Sequence, residues 1–214
     1  LKRFDLPEGA HDLVAATLSA AQRGGALLNR IADITTSREW RALPTNLSAL
    51  LSDLETLAFP ALSPEVRFEI INEIPDKFVL LDSGMVQDAL LNLILNARDA
   101  LDGAGQIQIT VSSVQETWVD FTVADTGPGF SEVALEHALE PFFTTKGGEG
   151  SGLGLAMVYD MAKLAGGRVR VTNAPEGGAQ VSLRVPLRVA NASPVPGLIL
   201  LVEDSDDIRA SVRE

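Results

Sequence analysis

The chain has 214 residues, 29 acidic against 17 basic side chains, a formal charge of −12 at pH 7, and no cysteine. That charge argues against a nucleic-acid surface, which needs clustered lysine and arginine; the missing thiols exclude a disulfide framework and thiol catalysis. At 46 % hydrophobic residues the chain can build a core, and no apolar run approaches the roughly 20 residues that span a bilayer.

Val14, Leu18, Ala21, Leu28 and Ile31 recur at helical or heptad spacing, which predicts a helix from about Leu13 to Ser37. Gly24-Gly25 weakens it by about 1 kcal/mol per glycine. A lone amphipathic helix of that length must bury its stripe against a partner helix or its own domain. Pro44 opens a new segment, and Asn46-Leu47-Ser48 caps a helix to about Ala58, closed by Pro60 and Pro64. Val66–Ile74 and Lys77–Asp82 read as strands joined at Pro75-Asp76. Gly84–Leu101 is the clearest helix, followed by alternating strands over Ile107–Val114 and Trp118–Ala124.

A glycine-rich stretch runs from Thr126 to Gly154, interrupted by a short helical piece over Glu132–Glu140. Leu155–Leu164 is helical and stops at Gly166-Gly167. Arg168–Asn173 and Gln180–Pro186 form a hairpin across Pro175-Glu176-Gly177-Gly178. Residues 191–197 have linker composition, and Leu198–Val202 is a buried-strand run ending in Glu203-Asp204. The expected fold is a two-layer α/β sandwich with helices on one face of a mixed, largely antiparallel sheet.

Three segments carry chemistry. On the Gly84–Leu101 helix, Val86, Leu90, Leu93, Ile94, Ala97 and Leu101 make an apolar face, and Asp88, Asn92, Asn96 and Asp99 share the opposite stripe. An amide offers a metal a neutral oxygen and a phosphate an N–H, which suits Mg²⁺ held partly by nucleotide oxygens; by itself the stripe also reads as a solvated face. Asp125 ends a strand and opens Thr126-Gly127-Pro128-Gly129. A carboxylate there can accept an adenine amino group, although the string alone is also an ordinary turn. Gly147-Gly148-Glu149-Gly150-Ser151-Gly152-Leu153-Gly154 leads into an apolar helix, so amides and a helix start can meet a triphosphate. No Lys-Ser or Lys-Thr follows, so it is not a Walker A loop.

Taken together, Asn92-Leu93-Ile94-Leu95-Asn96-Ala97-Arg98-Asp99-Ala100, Asp125-Thr126-Gly127-Pro128-Gly129, Glu140-Pro141-Phe142-Phe143-Thr144-Thr145-Lys146 and Gly150-Ser151-Gly152-Leu153-Gly154-Leu155 resemble the N, G1, F and G2 boxes of sensor histidine kinases. The order and spacing match, and the resemblance covers about Asn46 to Leu187. It implies the Bergerat (GHKL) ATPase fold, with ATP and Mg²⁺ as cofactors. By resemblance, Asn96 coordinates Mg²⁺, Asn92 supports the triphosphate, and Arg98 and Asp99 belong to the same box. Asp125 binds adenine, with Gly127 and Gly129 shaping its pocket. Phe142 and Phe143 anchor a mobile lid, with Thr144, Thr145 and Lys146 near the phosphates. Gly150, Ser151, Gly152, Leu153, Gly154 and Leu155 close over the γ-phosphate.

The sequence departs from the family at Ala179, where a threonine commonly stands near the adenine carboxylate. In the related ATP hydrolases a glutamate one turn before the metal asparagine activates water. Here that position is Asn92, which cannot act as a base, so phosphoryl transfer to a protein side chain is favoured over hydrolysis.

The resemblance also implies a domain plan: residues 1–43 from a dimerisation hairpin, 44–190 the ATP-binding catalytic domain, 191–197 a linker, and 198–214 the start of a receiver. Glu203 and Asp204 would hold the receiver's Mg²⁺. The expected whole is a cytoplasmic region of a hybrid kinase, cut at both ends, dimeric through its helices. Any membrane contact would come through upstream segments, and its partner is its own or a separate receiver. His11 and His137 read as surface residues, with the phosphoacceptor histidine upstream, and Trp40 and Trp118 as packing residues. A hydrolase of the same fold and a catalytically silent docking module stand as alternatives.

Overall fold

The computed structural model describes residues 39–75, 77–145 and 151–190. The expected 13–37 helix, His11, Lys146, Gly150, the linker and the receiver run with Glu203 and Asp204 lie outside the described residues.

Two helices open the chain's core. Asn46 accepts the Ala49 amide at 2.9 Å through its side chain and so starts α1 (Leu47–Ala58). Leu47, Leu50, Leu51, Leu54 and Ala58 fall on one buried stripe, and a 3₁₀ turn, Phe59–Ala61, with Pro60 in it, ends the helix. Asp82 caps α2 (Ser83–Ala100) through Met85 N at 3.0 Å. Val86, Ala89, Leu90, Leu93, Ile94 and Ala97 of α2 are buried. The polar stripe expected on this helix is therefore the side turned from the core.

The main sheet has five strands: β2 (Val66–Asn72), β4 (Gly105–Val114), β5 (Trp118–Asp125), β6 (Arg168–Asn173) and β7 (Ala179–Pro186), in the order β2-β4-β5-β7-β6. β2 runs parallel to β4 with Val66 opposite Gly105, and the other pairs are antiparallel. The predicted mixed, largely antiparallel sheet is thus present. Alternation buries Ile107, Ile109, Val111, Val119, Phe121, Val123, Val181, Leu183 and Val185 in the core that holds the α1 and α2 stripes. The other positions carry polar pairs: Thr122 with Ser182 at 3.0 Å, and the Arg184 guanidinium bidentate on Asp120. Two shorter helices complete the fold, α3 (Glu132–His137) and α4 (Gly154–Leu164).

A second, small sheet departs from expectation. Strands β1 (Leu43–Asn46) and β3 (Phe78–Leu81) pair antiparallel, Leu43 opposite Leu81. The far edge of β3 meets the chain after β7, through a Val79–Val189 bridge, Leu80 N to Arg188 O at 2.8 Å and Ala190 N to Phe78 O at 2.9 Å. β2 and β3, adjacent in sequence, do not pair with one another. The second carboxylate oxygen of Asp82 accepts the Arg41 amide at 3.1 Å, so one side chain joins the start of the described chain to the start of α2. Trp40 packs against the core, as a packing residue should.

The β4–β5 connection places Gln115 at φ 51° and Glu116 at φ 52°, closed by Thr117 N to Val114 O at 3.1 Å. Two non-glycine residues in left-handed geometry make a mirror-image type I turn of the kind that suits Asn-Gly. Glu116→Gly should raise unfolding stability by about 1 kcal/mol, read as a denaturant midpoint shift at unchanged slope. No shift would mean that the left-handed turn carries no penalty in this hairpin.

Candidate functional site

Four stretches distant in sequence meet at the ends of β5, β6 and β7 and the polar side of α2. Asp125 closes β5 and is 8 % exposed, the only buried charged or polar side chain among the described residues. Its Oδ1 accepts two main-chain amides, Gly127 at 2.8 Å and Ala179 at 3.2 Å. Such bonds to an ionised carboxylate are among the stronger ones. Oδ2 takes no hydrogen bond from any described residue. Since no fully buried side-chain polar atom lacks a partner among them, Oδ2 opens onto accessible space. One oxygen is fixed and the other presented.

The loop after Asp125 is held at both ends. Gly127 leaves no room for a side chain, because a Cβ there would lie 2.9 Å from Asp125 Oδ1 and 3.0 Å from Ala100 O. At its far end the Asn173 amide pairs with Phe130 in both directions: Phe130 N donates to Oδ1 at 2.7 Å, and Nδ2 donates to Phe130 O at 2.8 Å. Gly129 lies between, with its own Cβ position 2.8 Å from Asn173 Oδ1. Asn173 was not singled out from sequence. A polar residue at a strand end before Pro-Glu-Gly-Gly reads as turn punctuation, and its partner lies 43 residues away. The Ala179 departure removes a hydroxyl, yet its backbone N–H still reaches Asp125.

On α2, Asn92 and Asn96 are half-buried and Asp88 and Asp99 exposed. Asn92 Nδ2 donates back to Asp88 O at 2.9 Å. No described residue hydrogen-bonds the Asn96 amide, which packs against the start of α4: a Cβ on Gly154 would stand 3.2 Å from Nδ2 and 3.5 Å from Oδ1. Two of the sequence segments are therefore in direct contact. Arg98 is committed elsewhere, with Nε and Nη2 on Asp99 and Nη1 on Ala61 O at 3.3 Å. It ties α2 to the 3₁₀ turn. Among the described residues no group of three His, Cys, Asp or Glu could cage a metal ion. A metal delivered with nucleotide oxygens and met by one neutral amide fits what is present.

The start of α4 differs from the other helix starts. α1, α2 and α3 are capped by the side chains of Asn46, Asp82 and Ser131, whereas α4 has no side-chain cap at Leu153. Among the described residues no side chain caps its first-turn amides, and helix starts of that kind can bind phosphate. Leu153 is 1 % exposed and Leu155 packs on the core, so only the backbone of these two can face a ligand. Phe142 N donates to Gly152 O at 2.9 Å, and a Cβ on Gly152 would fall 2.3 Å from Phe142 C. Phe142 and Gly152 are thereby held against one another. Phe142 itself sits at φ 69° and is 68 % exposed. Phe143 packs on His137, with ring centroids 5.7 Å apart. His137 also bonds Glu140 at 2.9 Å. That hydrogen bond and the Glu140 charge, with a smaller push from Glu136, raise the imidazole above its ordinary 6.5.

Residues 81–189 match the family described as "Histidine kinase-, DNA gyrase B-, and HSP90-like ATPase". The chain is 38 % identical over 136 residues to the C4-dicarboxylate transport sensor protein DctB of Pseudomonas aeruginosa, covering 61 % of this chain and 22 % of DctB. It is 37 % identical over 115 residues to the sensor histidine kinase component HK1 of Mycobacterium tuberculosis, covering 52 % of this chain and 67 % of HK1. Among solved structures it resembles full-length ShkA in complex with AMPPNP, with TM-score 0.70 and 28 % identity over 87 % of this chain and 41 % of that one. The chain thus spans less than half the length of DctB and of ShkA. No helix among the described residues is long and apolar enough to cross a membrane.

Proposed function

The chain belongs to the histidine kinase-, DNA gyrase B- and HSP90-like ATPase family as the ATP-binding catalytic region of a sensor histidine kinase, and on that premise we propose how its residues divide the work. Asp125 reads the base: Oδ2 accepts the adenine 6-amino group while two amides hold Oδ1 still. The uncapped amides of α4, with Gly150, Ser151, Gly152 and Gly154, meet the phosphate oxygens, and Thr144, Thr145 and Lys146 reach them from the other end of the loop. Asn96 is the protein's ligand for Mg²⁺, with Asn92 beside it; the ion, when bound, neutralises charge on the β- and γ-phosphates. Arg98, paired with Asp99, also ties α2 to the 3₁₀ turn through Ala61 O.

The reaction breaks the bond from the γ-phosphorus to the β,γ-bridging oxygen and forms a bond to an imidazole nitrogen, with ADP leaving. Asn92 stands where a hydrolase needs a carboxylate base, and a neutral amide cannot take a proton from water, so transfer is favoured over attack by water. The acceptor is a histidine outside this sequence: His137 is engaged by Glu140 and Phe143 on α3, and His11 is separated from the catalytic region by one predicted helix. We extend the reading to a hybrid cytoplasmic kinase, dimeric through residues 1–43. In it, residues 198–214 begin a receiver with Glu203 and Asp204 as its Mg²⁺ carboxylates, and the phosphoryl group passes on to a receiver aspartate. Incubation with radiolabelled ATP should give bound nucleotide and no stable protein label. Label that disappears on changing His11 would reassign the acceptor.

The observation that carries the reading is the split of Asp125 between a fixed and a presented oxygen. Asp125→Asn keeps the shape but can set an amide N–H₂ against the adenine amino group. Loss of one charge-assisted bond is about 1.5–3 kcal/mol, so ATP affinity should fall roughly 10- to 100-fold. Calorimetry that finds wild-type affinity would remove the base assignment.

A further inference from the structure

We propose that Asn173 is the positioning residue for adenine recognition, holding the 126–130 loop in the place where Asp125 can read the base. The inference rests on the assignment of Asp125 to adenine and adds a residue that does not itself touch nucleotide.

The turn after β6 does not need this side chain. Asparagines at turns ordinarily bond their own backbone a residue or two away. Here the turn closes through main-chain bonds alone, Ala174 N to Gly178 O and Gly177 N to Ala174 O, both 3.0 Å. Both ends of the Asn173 amide are spent on Phe130. The pair copies one rung of a β-ladder, donor to acceptor and acceptor to donor. It needs a planar group carrying both functions side by side, which among side chains at neutral pH only an amide ordinarily supplies.

The consequence follows from where the two anchors sit. At one end of the loop, Ala179 N holds Asp125 Oδ1; at the other, Asn173 holds Phe130. Asn173 and Ala179 are register partners across the β6–β7 hairpin. One rigid hairpin therefore sets both ends of Thr126-Gly127-Pro128-Gly129, and the Gly127 amide that steadies Asp125 lies within that span. Releasing the Phe130 end lets the Gly127 amide move and frees the carboxylate to rotate. Affinity for the base drops without any ligand contact being deleted.

The test uses Asn173→Asp, which keeps the shape and the acceptor but loses the donor, with Asn173→Ser as a second, smaller variant. Affinities for ADP and for inosine diphosphate, which lacks the 6-amino group, are measured by calorimetry alongside Asp125→Asn. Expected are about tenfold weaker ADP binding, inosine diphosphate binding within about twofold of wild type, and faster hydrogen exchange at the Phe130 amide. If Asp125→Asn erases the preference for ADP while both Asn173 variants keep it, the positioning role is overturned and the base assignment stands. If Asp125→Asn also leaves that preference intact, the base assignment falls and takes this proposal with it. Equal loss of both diphosphates in the Asn173 variants, tracking a lowered thermal midpoint, would mark a purely structural residue and likewise overturn it.

Discussion

Alanine at Gly178 should destabilise the domain by about 4 kcal/mol or more and abolish nucleotide binding with it. The added methyl carbon would stand 1.8 Å from the Asp125 carbonyl oxygen and 2.8 Å from its carbonyl carbon, far inside contact distance and against backbone, which cannot swing aside as a flexible side chain can. The hairpin would have to lift off the end of β5, breaking the Ala179 N to Asp125 bond and uncovering a core edge. Gly177 provides the control, because it too has positive φ, 101° against 88° for Gly178, yet nothing lies within 4 Å of its Cβ position. Gly177→Ala should therefore show the torsional cost alone, about 1–2 kcal/mol. The rest of the Gly178 effect belongs to collision, which puts it among the large, mechanism-specific losses. Denaturant unfolding of the two variants separates these terms. Equal losses would mean that the hairpin can retreat from Asp125 at little cost.

That comparison also bears on what was legible in the sequence. Gly177 and Gly178 look alike as letters, and both read as turn residues. Only the packing of the hairpin onto Asp125 sets them apart. Three of the four boxes could be read from local residue chemistry: amides at helical spacing, a carboxylate at a strand end, glycines before an apolar helix; the Glu140–Lys146 box came only with the resemblance. The same holds for the α1 and α2 boundaries, where Asn46 and Asp82 cap the turn they begin. β1 was not legible as a strand. Leu43-Pro44-Thr45-Asn46 has a proline and a helix cap within four residues, and its extended state comes from pairing with β3. Strand alternation marked β2 and β3 but carries no information about partners. The β2–β4 pairing is parallel and spans α2, as a crossover connection requires.

The site shows the same division between local chemistry and tertiary placement. Asp125, Asn96, Gly152 and Gly154 of the candidate site each stood out by local pattern. Their assembly depends on two things no local pattern encodes: the Asn173 clamp on Phe130, and the seating of Asn96 against Gly154. Leu153 and Leu155, counted with the phosphate loop by resemblance, turn out to bury or pack their side chains. Arg98 likewise spends its guanidinium on Asp99 and Ala61.

The Asn96–Gly154 contact leads to an expected result in which stability and activity move in opposite directions. The Asn96 side chain has no hydrogen bond to any described residue, so packing against Gly154 is what aims its amide. A Cβ at Gly154 would stand 3.2 Å from Nδ2, tight enough to push a side chain by a few tenths of an ångström but harmless to the fold. Gly154 lies at the first position of α4, and alanine is favoured over glycine within a helix by up to about 1 kcal/mol. Gly154→Ala should therefore leave unfolding stability unchanged or slightly raised while lowering the rate of Mg²⁺-dependent phosphoryl transfer about tenfold, measured in a kinase that contains the acceptor histidine. Asn96→Ala removes the amide altogether and should lower transfer by at least about a hundredfold, with metal-free ADP affinity within about threefold of wild type. If Gly154→Ala transfers at the wild-type rate, displacement of Asn96 does not matter and the ion is held by other groups. If it loses stability and transfer together, the contact is structural. Loss of transfer at preserved stability and preserved ADP affinity identifies the amide's position as what Gly154 controls, whereas lost ADP affinity assigns the effect to the phosphate contact of Gly154 itself.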